Sequence, residues 1–378
     1  MRKVINILSI VTLFSAAVSC VKSDRIYDNS RSEIDMDPVM SVMSKAIVSG
    51  TGYPVDVPFG VFATYSSNPA GEWTSGPVQS YFENKKFIHK GDNKYGGESP
   101  AYWPLSGSLV FAGYSPYPDS GSVSATFDAE TKTLSISNFV SNGQTDLMYF
   151  LPTLSNSGNY VGTLDKSNSV SAQFFHALSL VSFDMQVRDG DEDDIKLKKI
   201  ILKDMYATGN FTVSASDPAT AAWTRTSDAS DITVFNSDAG KGLSPSVQVD
   251  VLVIPGAAVD IQIVYETKFY DMGESDVVEK NLTAEIVPSE VGVTTWETGK
   301  KYLYDVVIKA NKIEVKPSTG YIGVIEKESQ KEKSNDAEEI IYISDSDSCR
   351  PPCSGMFKGS GTDRTVSPCA GYDQYHNL

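Results

Sequence analysis

Few residues of this chain have the type and spacing that chemistry needs. His176 lies between Phe175 and Ala177 in a segment that alternates like a strand. A general base or a nucleophile needs a positioned partner, and the chain has only three histidines and no nucleophile motif near this one. A core histidine held by a hydrogen bond is the expectation. Asp191-Glu192-Asp193-Asp194 is rich in oxygen but lacks the spaced Asp/Asn and the Gly of a calcium loop, so it reads as a solvated turn. No Gly-rich loop leads into a helix, so no phosphate site is expected. Tyr102-Trp103-Pro104 could stack on a sugar, but aromatic residues more often cover cores, and a core-covering corner is expected. The chain is therefore read as a non-enzyme, with no catalytic residues, no metal and no cofactor.

One thiol stands apart. Arg2 and Lys3 open the chain, an uncharged and mostly apolar run follows from Val4 to Val18, and Ala17-Val18-Ser19 leads directly into Cys20. A basic start, an apolar stretch of roughly 7–15 residues and a small-residue exit are the parts of a secretory signal. A membrane-spanning helix needs about 20 apolar residues, and Lys22, Ser23, Asp24 and Arg25 arrive too early for that. The run resembles a bacterial lipobox, in which the cysteine becomes the mature N-terminus and carries lipid. Cys20 is thus the expected lipidation site. The other three cysteines, Cys349, Cys353 and Cys369, lie near the end with His376. Four such ligands could hold zinc, but the spacing matches no strong pattern and Pro351-Pro352 would stiffen the first pair. In an exported chain, pairing of two thiols with one left over is the better reading. Positions 21 to 348 contain no cysteine, so the folded body depends on core packing.

Strands have to do that packing. The 378 residues are 40% hydrophobic and 21% charged, which permits a core and excludes global disorder. The formal net charge is −16; loss of Arg2 and Lys3 with the signal takes it to about −18, against nucleic acid and against charge-driven binding to anionic lipid. Tyr and Phe number 19 and 16, and strands favour both. Residues 20–44 read as a polar tether and pro-segment ending in a weak strand start. Beyond it, short period-2 segments are broken by Gly, Pro, Ser, Asn and Asp, the pattern of an all-β sandwich. Strands are expected near Val57–Tyr65, Ser108–Tyr114, Thr133–Phe139, Asp146–Phe150, Val170–Phe175, Leu180–Val187, Ile195–Leu202, Phe211–Ser214, Val247–Ile254, Val259–Phe269, Lys280–Ile286 and Lys301–Lys309. Val181, Phe183, Met185 and Val187 share one face, as do Tyr302, Tyr304, Val306 and Ile308. A short helix is expected at Ala101–Trp103. The Ser-, Asn- and Gly-rich stretch Leu154–Ser169 places a domain boundary, giving 1–19 as signal, 45–160 and 161–316 as two β-sandwiches, and 317–378 as a low-order acidic, Cys-containing tail.

Ordered pieces of sequence then point to a family. Lys45-Ala46-Ile47-Val48-Ser49-Gly50, Tyr53-Pro54 and Pro58-Phe59-Gly60-Val61-Phe62-Ala63 come first. Tyr102-Trp103-Pro104, Leu109 to Pro116, and Asp146-Leu147-Met148-Tyr149 follow. Phe175 to Ser179, Gly209-Asn210-Phe211, Val253-Ile254-Pro255-Gly256 and Trp296 to Tyr302 complete the set. Over residues 40 to 316 the chain resembles the Bacteroidales fimbrillin family, the Mfa-like subunits of type V pili. The resemblance implies two tandem transthyretin-like β-sandwiches exported as a lipoprotein to the outer membrane or cell surface. It further implies that a trypsin-like protease removes the N-terminal segment with its first strand, and that a strand from another subunit fills the groove. Release from the lipid anchor into a fimbrium follows such a cut.

Within that resemblance, cleavage needs a basic residue ahead of the first retained strand. Lys45, directly before Ala46, fits by position, with Arg25 and Arg31 as alternatives. The expected partners are other fimbrial subunits by strand addition and the membrane through the lipid. The rival reading is a permanently anchored lipoprotein that binds glycan or a host protein through Trp103 or Trp73.

Overall fold

Side-chain alternation decides where each strand of this protein lies. The computed structural model describes residues 32–40 and 53–322, apart from 75, 77, 93, 120–122, 189, 191–193, 271–276 and 310–311. Phe59, Val61 and Ala63 of strand Phe59–Ser66 point the same way as Leu109 and Phe111 of Ser108–Ser115. Met148 and Phe150, Ala172 and Phe174, Phe87, and Tyr95 join them in one buried cluster. A single sheet wraps around this cluster and closes on itself. Its order is Asp35–Met40, Val170–His176, Met148–Phe150, Ser108–Ser115, Phe59–Ser66, Val78–Gly91, Lys94–Gly97, then back to Asp35–Met40. Gly113 permits close strand contact there, since a Cβ on it would lie 2.2 Å from Phe150 Cε1.

The opposite face of the ring is also covered. Phe62, Tyr114 and Tyr149 pack with Leu134 and Ile136 of Thr133–Val140 and with Phe211 and Val213 of Thr208–Ser214. These last two strands pair with each other and with Ser124–Asp128 and Asp217–Arg225 in a four-stranded sheet. The remainder is a sandwich of two four-stranded sheets. One holds Val247–Val253, Ser179–Val187, Lys300–Lys309 and Lys312–Tyr321; the other holds Ala229–Gly242, Ile195–Tyr206, Ile261–Tyr270 and Val277–Ile286. Phe183, Tyr304, Leu197 and Ile263 are fully buried between them.

The chain is all-β, as its alternation predicts. The only helical element among the described residues is the 3-10 turn Pro288–Val291, and no described helix is long and apolar enough to cross a membrane. Ala101–Trp103 is not helical: Ile34 N–H donates to Ala101 O and Trp103 N–H to Ser32 O, so this segment pairs with an extended neighbour. The division expected at 160/161 also differs. Val161–Gly162 pairs with Gly71–Glu72, and Val170–His176 completes the ring, so the ring strands run on to His176. Two strands from each side of that point share the Ser124–Asp128, Thr133–Val140, Thr208–Ser214, Asp217–Arg225 sheet. Lys312–Tyr321 extends past the expected end at 316, pairing along its length with Lys300–Lys309, and Ile322 is fully buried behind it.

Candidate functional site

The ring is completed by its N-terminal strand. Asp35–Met40 is six residues long and lies first in the described chain. Its sequence, Glu33-Ile34-Asp35-Met36-Asp37-Pro38-Val39-Met40, alternates acidic with apolar for most of its length. Ile34 and Met36 are fully buried inside the ring, and Pro38 is buried too. Asp37 and Val39 face outward and are exposed, and Asp35 is half-buried. This strand runs parallel to Val170–His176, with Met36 opposite Val170 and Met40 opposite Phe174. It runs antiparallel to Lys94–Gly97, with Asp35 opposite Gly96 and Met36 opposite Tyr95. Every other neighbouring pair in the ring is antiparallel. Lifting out Asp35–Met40 would therefore leave two facing edges with unpaired N–H and C=O groups, above an apolar floor.

Tyr53 packs into the ring core. Its ring stands 4.9 Å from Phe174, 5.5 Å from Phe59 and 5.5 Å from Tyr95. The phenol donates to Val57 O at 3.1 Å and shares a 2.5 Å hydrogen bond with Ser115 Oγ. Tyr95 OH in turn reaches Pro54 O and Val55 O at 2.7 and 2.6 Å. Burial pushes the Tyr53 phenol well above its ordinary range, and burial with the charge of Asp56 pushes Tyr95 to about 12. Tyr53 thus anchors the chain independently of the closing strand, and residues 41–52 connect the two.

Cys20, Arg25, Arg31, Lys45 and Ala46 lie outside the described residues, as do Cys349, Cys353, Cys369, His376 and Asp191–Asp193. Asp194, the last of the acidic run, approaches Lys268 at 3.8 Å. Among the described residues no three His, Cys, Asp or Glu side chains gather as metal ligands. Trp103 is 1% exposed and meets Phe111 edge-on at 5.9 Å. Trp73 is 7% exposed, and its Nε1–H donates to Ser108 Oγ at 2.7 Å. Neither indole offers a face to a sugar. His176 is buried with Nδ1 2.5 Å from Asp146 Oδ2, off the line of a hydrogen bond, and Asp146 is itself nearly covered. His176 lines a cleft of about 590 Å³ together with Phe175, Trp223, Thr295, Glu297 and Thr298.

Sequence patterning gives no more than a weak strand start at the end of the 20–44 tether, where the structure has the strand Asp35–Met40. The signal is present: Ile34, Met36, Pro38 and Met40 hold every second position, but the carboxylates between them and the proline hide a strand.

Comparisons with other proteins agree with an assignment to one family. The profile of the family described as Fimbrillin-like matches residues 50–320. No curated protein matches the sequence. Among solved structures, a candidate cell adhesion protein from Bacteroides uniformis is similar at 16% identity, with 77% of this chain and 99% of that one covered and a TM-score of 0.48. A second candidate cell adhesion protein, from Bacteroides ovatus, is similar at 11% identity, covering 77% and 98%, with a TM-score of 0.46. The tip fimbrial protein Mfa3 from Porphyromonas gingivalis, with a C-terminal truncation, is similar at 10% identity, covering 77% and 99%, with a TM-score of 0.37.

Proposed function

This chain belongs to the fimbrillin-like family, and from that premise we propose that it is a structural or adhesive fimbrial subunit displayed at the cell surface. In this reading Cys20 carries the lipid during export. A cut at Lys45–Ala46 then frees Asp35–Met40, and a strand from another subunit takes its place. The observation that carries the reading is the N-terminal strand that completes the ring, held parallel to Val170–His176, with the candidate cut between it and the Tyr53 anchor. The physics is β-augmentation: an incoming strand regains the backbone ladder on two edges, and its alternate side chains refill the floor under Ile34 and Met36. The fimbrillin-like match is what supports a structural rather than an enzymatic role in this reading. The membrane is a partner only through the lipid, and other subunits are partners through the vacated groove.

N-terminal sequencing and mass spectrometry of protein sheared from the cell surface test this. The expected product begins at Ala46 and runs as a ladder of polymers. A mature form that still begins at lipidated Cys20, with no ladder, overturns the cleaved-subunit reading and leaves a permanently anchored lipoprotein.

A further inference from the structure

The closing strand is charged on one side of its outer face only. Asp35 and Asp37 point away from the floor, and the antiparallel register that sets Asp35 opposite Gly96 places Asp37 across from Lys94 when continued by one pair. Lys94 is exposed, and so is Lys90 on the next strand over. A Cβ on Gly96 would lie 3.3 Å from both Cγ and Cε of Lys90 and 3.4 Å from Asp35 Oδ1. The bare glycine thus lets the lysine stem and the carboxylate lie over the same spot. On the parallel side the outward neighbours of Asp37 and Val39 are Ser171 and Gln173, which carry no charge. Lys85 and Lys86, further along Val78–Gly91, are already engaged with Ser99 and Glu98. The register thus sets acid across from base along one seam and not along the other.

Cross-strand pairs of opposite charge stabilise a register and like charges oppose it. A slip of one residue would also turn the carboxylates into the apolar floor. Because only one seam is charged, a strand inserted in the reverse direction would bring its carboxylates to the wrong places. We propose that this seam selects the segment that replaces Asp35–Met40: an extended segment of another subunit with apolar residues at alternate inward positions and carboxylates outward at the places of Asp35 and Asp37. The proposal deepens the strand-replacement reading above and rests on it.

Two measurements test it. In the uncut chain, Lys90→Glu combined with Lys94→Glu should raise amide hydrogen exchange across Asp35–Met40 about fivefold, with none of that change in Ile195–Tyr206. Unaltered exchange in the closing strand overturns the charge match without reference to any cut. The second measurement uses the full chain trimmed with trypsin and three labelled peptides at physiological salt. One has the sequence of residues 32–40, one carries Asp35→Asn and Asp37→Asn, and one carries Asp35→Lys and Asp37→Lys. The first should bind about five times more tightly than the second and the third more weakly again; the Lys90→Glu, Lys94→Glu protein should reverse that order. Equal binding of all three overturns the selection rule while strand replacement stands. Binding of none to the trimmed chain overturns both.

Discussion

Individual residues in this protein are constrained mostly by how closely strands and rings approach. Gly162 is a clear case: a Cβ there would lie 2.1 Å from Trp73 Nε1 and 2.4 Å from Ser108 Oγ. Gly162→Ala should therefore break the Trp73–Ser108 hydrogen bond and cost about 1–3 kcal/mol, read from the urea midpoint. The tyrosines make a second prediction. Burial pushes Tyr95, Tyr114, Tyr149 and Tyr304 to about 12, above the ordinary value near 10. A phenol whose folded value is raised contributes stability that is whole below about pH 10 and is lost as pH rises toward 12. Denaturant midpoints should stay level from neutral pH to about pH 9 and fall between pH 10 and 12, in step with phenolate absorbance. Full phenolate absorbance by pH 10 in the folded protein would mean the rings are not shielded.

Strands of this protein are legible in proportion to how much apolar surface they bury. Lys300–Lys309 buries one face in the sandwich core, so its period-2 pattern survives in the sequence, while Ser179–Val187 is apolar enough on its inward face to show through although both its faces are covered at the start. Val78–Gly91, Asp217–Arg225 and Ala229–Gly242 are exposed or half-exposed along most of their length. Backbone pairing holds them more than apolar contrast does, and Pro218 and the many glycines, lysines and serines read as loop. Asp35–Met40 fell in the same gap, with its apolar half hidden among carboxylates. Its two faces should respond differently to substitution. Met36→Ala should cost about 2–5 kcal/mol by emptying part of the ring core. Met36→Asp should strip hydrogen-exchange protection from Val170–His176 and Lys94–Gly97 while Ile195–Tyr206 keeps its own. Val39→Thr, on the outer face, should stay within about 0.5 kcal/mol of the parent.

At the scale of the whole molecule, the candidate site is divided between what the chain's pattern states and what only topology supplies. Lys45 and the fimbrillin-like stretches are visible in the linear sequence; that Lys45 follows a strand completing a closed ring is not, because ring closure joins residues 35–40 to 94–97 and 170–176. Net charge sets a further expectation. At −16, copies repel one another over distances that low salt lengthens and physiological salt shortens to about 8 Å. Trimmed protein should polymerise faster at 0.15 M salt than at 0.01 M, followed by light scattering; a faster reaction at low salt would mean that long-range repulsion does not limit encounter. The closed ring adds a consequence for timing. A sheet without an edge is mute toward its own copies, however crowded they are, so abundance alone makes a weak trigger. In the strand-replacement reading each cut creates one opening, and the length a polymer reaches is metered by the supply of cuts rather than by the supply of protein.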